Sequence, residues 1–269
     1  MTPLPKALLA ACLVAAGAVL VGCASAPPAD STPPAAQRKP PSESDVQRRA
    51  EVRLELAALY FSRGQAETAL EELRQAMSLR PDWAEALGMQ GLIQASRGDI
   101  VGAEASFKRA LSISPADGDV LHNYGWFLCQ QRRWAEADAQ FERAVASPRY
   151  RDAGRSLLAQ GVCQARDQRW ADAERSLARS YELDPANPAT AFNLAEVLLR
   201  RGELERARFY ARRVNQQSEQ VSAQSLWLAA RIERRLGNAD GVQDFARQLR
   251  DRFPQSPEAL QLERGRFDD

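Results

Sequence analysis

Beyond residue 45 the chain carries only seven prolines, and Pro81 and Pro115 stand 34 residues apart at the ends of matching tripeptides, Leu79-Arg80-Pro81 and Ile113-Ser114-Pro115. The stretches between these prolines are rich in Ala, Leu, Arg, Glu and Gln, all good helix formers. Proline cannot continue a helix, so each one marks a place where a helix has ended. A 34-residue unit is too short to enclose a core of its own. Such units must stack, each burying its apolar face on its neighbours. The beat therefore excludes the one or two compact domains that about 225 residues would otherwise suggest.

A proline-punctuated helical period of 34 resembles the tetratricopeptide repeat, a helix-turn-helix unit with small residues at positions 8 and 20, large apolar residues at 4, 7, 11 and 24, and proline at 32. Six repeats follow this frame: 50–83, 84–117, 118–151, 154–187, 188–221 and 223–256. The first supplies Leu56, Ala57, Tyr60, Ala69, Leu73 and Pro81, and the second Leu87, Gly91, Ala103, Phe107 and Pro115. In the third repeat Pro148 falls one residue early, and two extra residues follow before the fourth begins. The expected fold is an all-α superhelix of six helix-turn-helix repeats within 45–269, closed by a short capping helix at 257–264. Small residues at 8 and 20 allow the two helices of a repeat to approach closely. Trp134 and Trp170, both at position 17, are expected to pack rather than bind.

The chain opens differently. Lys6 precedes a 14-residue apolar run from Ala7 to Leu20, and Leu20-Val21-Gly22 leads into Cys23. A charged head, a short apolar stretch and a small-residue cleavage site make a secretory signal, here residues 1–22. Fourteen apolar residues are too few for a membrane span, which needs about 20. The Leu-Val-Gly-Cys tetrapeptide resembles the bacterial lipobox, in which the cysteine is acylated and becomes the first mature residue. Ala24 at the next position implies, by the sorting rule of such lipoproteins, the periplasmic face of the outer membrane. Several acyl chains on Cys23, at about 0.8 kcal/mol per buried CH₂, make a stable anchor. The rest of 23–44 holds six prolines and no large apolar side chain, and reads as a disordered tether.

Composition narrows the function. The chain has 36 basic and 35 acidic residues, and loss of Lys6 with the signal leaves no net charge, which argues against nucleic-acid binding. His122 is the only histidine, so no histidine-based metal site and no two-imidazole scheme is available. No catalytic motif stands out, and neither a cofactor nor a small-molecule substrate is expected. With Cys12 lost and Cys23 acylated, Cys129 and Cys163 remain, at positions 12 and 10 of neighbouring first helices. They are either a disulfide of an oxidising compartment or two small buried hydrophobes. Cα atoms within about 7 Å would permit the bridge.

A stacked repeat array offers an extended inner groove for another polypeptide. In repeats of this kind positions 2, 5, 6, 9, 12 and 13 of the first helix line it. The candidate groove residues are Leu54, Phe61, Met89, Leu92, His122, Asn123, Trp126, Phe192 and Asn193, with Leu158, Val162 and Arg166 on the fourth repeat. Trp227, Arg231, Arg234 and Arg235 make the sixth repeat basic. The stretch HNYGWFLCQQRRWAEADAQFERAV, His122 to Val145, resembles the third repeat of the PilF/PilW family of type IV pilus lipoproteins. The lipobox, the tether, six repeats and the irregular junction ASPRYRDAG match that family's layout. The resemblance implies a pilotin that binds a PilQ-like secretin subunit and promotes its outer-membrane localisation and multimerisation. Two other readings stand beside it: a repeat lipoprotein accessory to barrel assembly, and a regulator of cell-wall synthases.

The anchor is tested directly by metabolic labelling with an alkyne palmitate analogue. The wild-type chain should label, and Cys23→Ser should neither label nor sediment with membranes.

Overall fold

A computed structural model describes residues 42–216, 219 and 221–267. The signal, Cys23 and almost all of the tether lie outside them. The described residues form thirteen helices and no strand, in pairs: α1 (Glu43–Ser62) with α2 (Ala66–Leu79), α3 (Ala84–Ser96) with α4 (Ile100–Ile113), α5 (Gly118–Gln130) with α6 (Trp134–Ala146), α7 (Ala153–Arg166) with α8 (Trp170–Leu183), α9 (Pro188–Arg201) with α10 (Leu204–Asn215), and α11 (Ala223–Arg235) with α12 (Ala239–Arg252), followed by α13 (Pro257–Glu263). None of these helices is long and apolar enough to cross a membrane.

Local chemistry sets the boundaries. Helix α1 begins at Glu43, inside the stretch assigned to the tether, because Ser42 and Asp45 form a reciprocal capping box: each side chain accepts the other's backbone N–H at 3.2 Å. Asp99, Asp117, Asn187, Ser222, Asn238 and Ser256 cap later helices with their side chains. Pro81, Pro115, Pro148, Pro185 and Pro254 each stand two residues beyond the end of a second helix. The early Pro148 therefore follows a helix, α6, that itself stops one residue sooner than α4 or α8. Between the paired helices the chain turns through a left-handed residue at repeat position 15. Gly64, Gly98, Gly202 and Gly237 take it with φ from 73° to 80°, while Arg132 and Gln168 take it at φ 59°, at a cost of about 1 kcal/mol each.

Within each pair, positions 8 and 24 share one volume. A Cβ added to Gly91 would lie 2.9 Å from the Phe107 ring, one on Gly125 would lie 3.0 Å from Phe141, and one on Gly161 would lie 2.5 Å from Leu177. Where position 8 is alanine (Ala57, Ala195, Ala230), position 24 holds Leu73, Ala211 and Ala246. Phe107 and Phe141 are fully buried, each contributing about 2–3 kcal/mol of apolar transfer. Four apolar clusters hand over from repeat to repeat, with Trp134 and Trp170 packed on their flanks. Ion pairs run alongside from one repeat to the next: Glu104 with Arg133 at 2.8 Å, Asp138 with Arg169 at 2.6 Å, and Glu174 with both Arg201 and Arg206. The ammonium of Lys108 and the guanidinium of Arg133 hold the Glu104 carboxyl down at about 2.

Consecutive odd-numbered helices pack backbone against backbone, whereas the even-numbered helices meet only through long side chains, as in the Glu174–Arg206 ion pair and the Tyr181–Tyr210 ring contact between α8 and α10. The first helices thus form the inner wall, and the second helices fan out behind it. Across that wall Cys129 of α5 and Cys163 of α7 are joined by a disulfide with Cα atoms 5.8 Å apart. Of the two readings open for this pair, the structure takes the bridge.

The bridge closes a loop of 34 residues in sequence separation, for which chain entropy gives a stabilisation of about 3–4 kcal/mol. Denatured, unreduced mature protein should titrate no free thiol from this pair. Cys129→Ala with Cys163→Ala should lower the unfolding free energy by about that amount, read from urea titrations.

Candidate functional site

The inner wall is not uniform. Its centre is an open groove of about 440 Å³ lined by Leu92 of α3, His122, Asn123 and Trp126 of α5, Arg155, Leu158, Ala159 and Val162 of α7, and Asn193 of α9. Successive first helices run side by side, so positions 5, 6 and 9 of each fall on one face. This groove brings together seven residues expected from the sequence: Leu92, His122, Asn123, Trp126, Leu158, Val162 and Asn193. Asn123 makes no side-chain hydrogen bond to any described residue, and its amide is available as donor and acceptor. Asn193 donates Nδ2–H to the Ala189 carbonyl at 2.8 Å, which leaves its Oδ1 to accept. The Arg166 guanidinium lies 4.9 Å from the Trp126 ring centroid and holds the indole across the groove.

His122 lies at the base of this groove and is 6% exposed. The Ser156 hydroxyl sits 2.9 Å from its Nδ1 and 2.9 Å from the Tyr150 hydroxyl. Its ring meets Phe141 edge-on at 5.9 Å. Burial, reinforced by the positive charge of Arg155, pushes the imidazole down to about 4, so it is neutral at physiological pH. The irregular junction after α6 makes this possible. It brings Tyr150 back against Gly118, where any Cβ would collide with the ring. Neither Tyr150 nor Ser156 belongs to the inner positions, and nothing in the repeat pattern singles them out.

The remaining expected residues lie elsewhere on the wall. A second groove of about 530 Å³ is lined by Glu51, Leu54, Glu55, Ala58, Arg80, Trp83, Glu85 and Met89. Leu54 is 6% exposed and belongs mainly to the core of the first repeats, and Phe61 packs on that core's edge. Trp83, unforeseen because it closes the first repeat, is held beneath the Arg80 guanidinium at 4.7 Å. Desolvation, with Asp117 and Asp119 nearby, pushes the Glu85 carboxyl above its usual range. A third groove of about 300 Å³ holds Phe192, Glu196, Trp227 and Arg231. Arg155 and Ala159 were also missed, although they occupy positions 2 and 6 of their repeat, the same rule that found their neighbours. Among the described residues no group of His, Cys, Asp or Glu could hold a metal ion.

Comparison with known proteins bears on this wall. Family models of the tetratricopeptide repeat match residues 54–118, 94–161 and 164–226. The type IV pilus assembly protein PilF of Pseudomonas aeruginosa is 28% identical over 205 residues, spanning 76% of this chain and 81% of that protein. The crystal structure of PilW, described as a widely conserved type IV pilus biogenesis factor, aligns with a TM-score of 0.72 at 30% identity, covering 80% of this chain and 98% of PilW. The structure of Pseudomonas aeruginosa PilF aligns with a TM-score of 0.71 at 24% identity, over 82% of this chain and 99% of that one, a likeness of fold.

The buried histidine predicts a pH dependence. The unfolded state binds a proton near pH 6.5 and the folded state only near 4, so the stabilisation is complete above about pH 6.5 and is lost as pH falls through that window. Between pH 6.5 and 5 the unfolding free energy should fall by about 2 kcal/mol. His122→Gln should flatten that part of the curve, as read by urea titration at each pH.

Proposed function

Since the chain belongs to the tetratricopeptide-repeat family of type IV pilus biogenesis proteins, we propose that it is an outer-membrane lipoprotein acting as a pilotin. In this reading Cys23 carries the acyl chains and the tether stands the repeats off the periplasmic face. The groove across α3, α5, α7 and α9 holds a segment of the secretin subunit, delivering it to the outer membrane and favouring its assembly into a ring. The protein works by binding and not by catalysis.

The observation that carries this reading is the central groove. Leu92, Trp126, Leu158 and Val162 line it on helices already satisfied by their own repeats. Open apolar side chains flanked by amides that can hold a bound backbone fit a polypeptide ligand with an apolar stripe. The groove is also held in place before any ligand arrives. The Cys129–Cys163 bridge ties α5 to α7, and Arg166 fixes Trp126. Such preorganisation lowers the ordering cost of association.

Trp126→Ala should weaken capture of the secretin subunit by about thirtyfold, the usual loss for a central aromatic anchor. Leu92→Ala combined with Leu158→Ala should do the same, whereas Phe61 is too close to the first repeat's core for a clean test. Circular dichroism should report unchanged helicity while heat-resistant secretin multimers on gels decline. Normal multimers from well-folded groove variants would remove the groove from this role.

A further inference from the structure

The far end of the inner wall is already occupied. After α13 the chain turns at Gly265, φ 65°, and returns across α11. Phe267 is 8% exposed and lies between two groups at inner-wall positions of the sixth repeat. Its ring centroid is 4.9 Å from that of Trp227, and the Arg234 guanidinium lies 4.4 Å from its centroid on the basic side. Arg231 donates Nε–H to the Phe267 carbonyl at 3.0 Å. The ring joins the apolar cluster of Leu226, Trp227, Leu249 and Ala259, while one guanidinium covers its face and a second captures its backbone carbonyl, the polar holds by which a groove reads a peptide. Trp227 and Arg231 are shared with the open groove of about 300 Å³ that continues along the wall towards Phe192 and Glu196. The seat is thus one end of a longer channel.

The charge around it is predominantly positive. At the inner positions of repeats four to six stand Arg155, Arg166, Arg200, Arg231, Arg234 and Arg235, against Glu196, with Glu258 of α13 also lining the groove. In sequence Phe267 is followed by Asp268 and Asp269. An aromatic residue succeeded by carboxylates therefore suits both the ring slot and the field of this half of the wall.

We propose that the inner face of the sixth repeat is a receptor for a partner segment in which an aromatic residue is followed by acidic ones, and that Gly265–Phe267 is an intramolecular stand-in for the aromatic part of that segment. The partner must displace the stand-in to bind. This seat is separate from the central groove, and the proposal holds whether or not that groove binds a secretin.

Two fluorescent peptides test it: one copying Leu260–Asp269, and one with Phe-Asp-Asp at the end of an unrelated Gly/Ser sequence. Both should bind a chain lacking residues 266–269, and bind the intact chain at least about tenfold more weakly because its seat is filled. Replacing the peptide phenylalanine by alanine should cost at least about tenfold, and so should replacing both aspartates by asparagine. Arg231→Gln in the shortened chain should lose the same preference for acidic peptide. A folded shortened chain that binds neither peptide, or binds the asparagine form equally well, would overturn the proposal. So would loss of helicity in the shortened chain, which would make the segment a structural cap. Concentration-dependent dimers of the intact chain, abolished by Phe267→Ala, would assign the seat to a second copy of the chain and overturn the assignment to a partner.

Discussion

The array depends on how closely the two helices of a repeat can approach, and one shared volume sets that distance. Positions 8 and 24 face each other, and where glycine stands at 8 the opposing side chain is Phe107, Phe141 or Leu177. Where alanine stands at 8, a leucine or a second alanine opposes it. Interiors packed to crystal density leave no other way to keep the spacing constant. An extra methyl at Gly161 would push α7 off α8, and the inner wall would shift with it. Since α7 supplies Arg155, Leu158, Ala159 and Val162, packing inside the fourth repeat positions four of the nine residues that line the central groove.

The periodic part of this architecture was legible because stacking selects residue type at fixed intervals. Helices, turns and inner positions follow from the 34-residue frame, and Leu92, Asn123, Trp126 and Asn193 were found by counting. The parts that escaped are those where the frame breaks. Ser42 starts α1 early through a local capping box that the repeat pattern does not contain. Tyr150 lies in the irregular junction after α6, and only the fold shows that it closes on Gly118 and Ser156 behind His122. Phe267 follows the capping helix, where no period remains to place it. The bridge between Cys129 and Cys163 was undecided for another reason. Equivalent heights on adjacent rods are a necessary condition, and the Cα separation of 5.8 Å is a property of the packing.

The inner wall also has an electrical direction that local packing does not require. At its inner positions the first three repeats carry Glu51, Glu55, Glu85 and Asp119 and no Lys or Arg, while the last three carry six arginines and one glutamate. The raised carboxyls of Glu85 and Asp119 report desolvation first and then the repulsion of neighbouring acids, which outweigh the arginines beside them, Arg80 and Arg155. Over the whole molecule the charges nearly cancel, with 36 basic and 35 acidic residues. Segregation on the wall is therefore a matter of arrangement, not of composition. Charge placed in this way contributes more to register and orientation than to affinity. A segment lying along the wall meets acids near α1 and α3, an apolar stretch across α5 and α7, and arginines near α11. Reversing it would set like charges against each other at both ends. Apolar contacts in the central groove would hold such a ligand, and the two charged ends would decide which way round it lies.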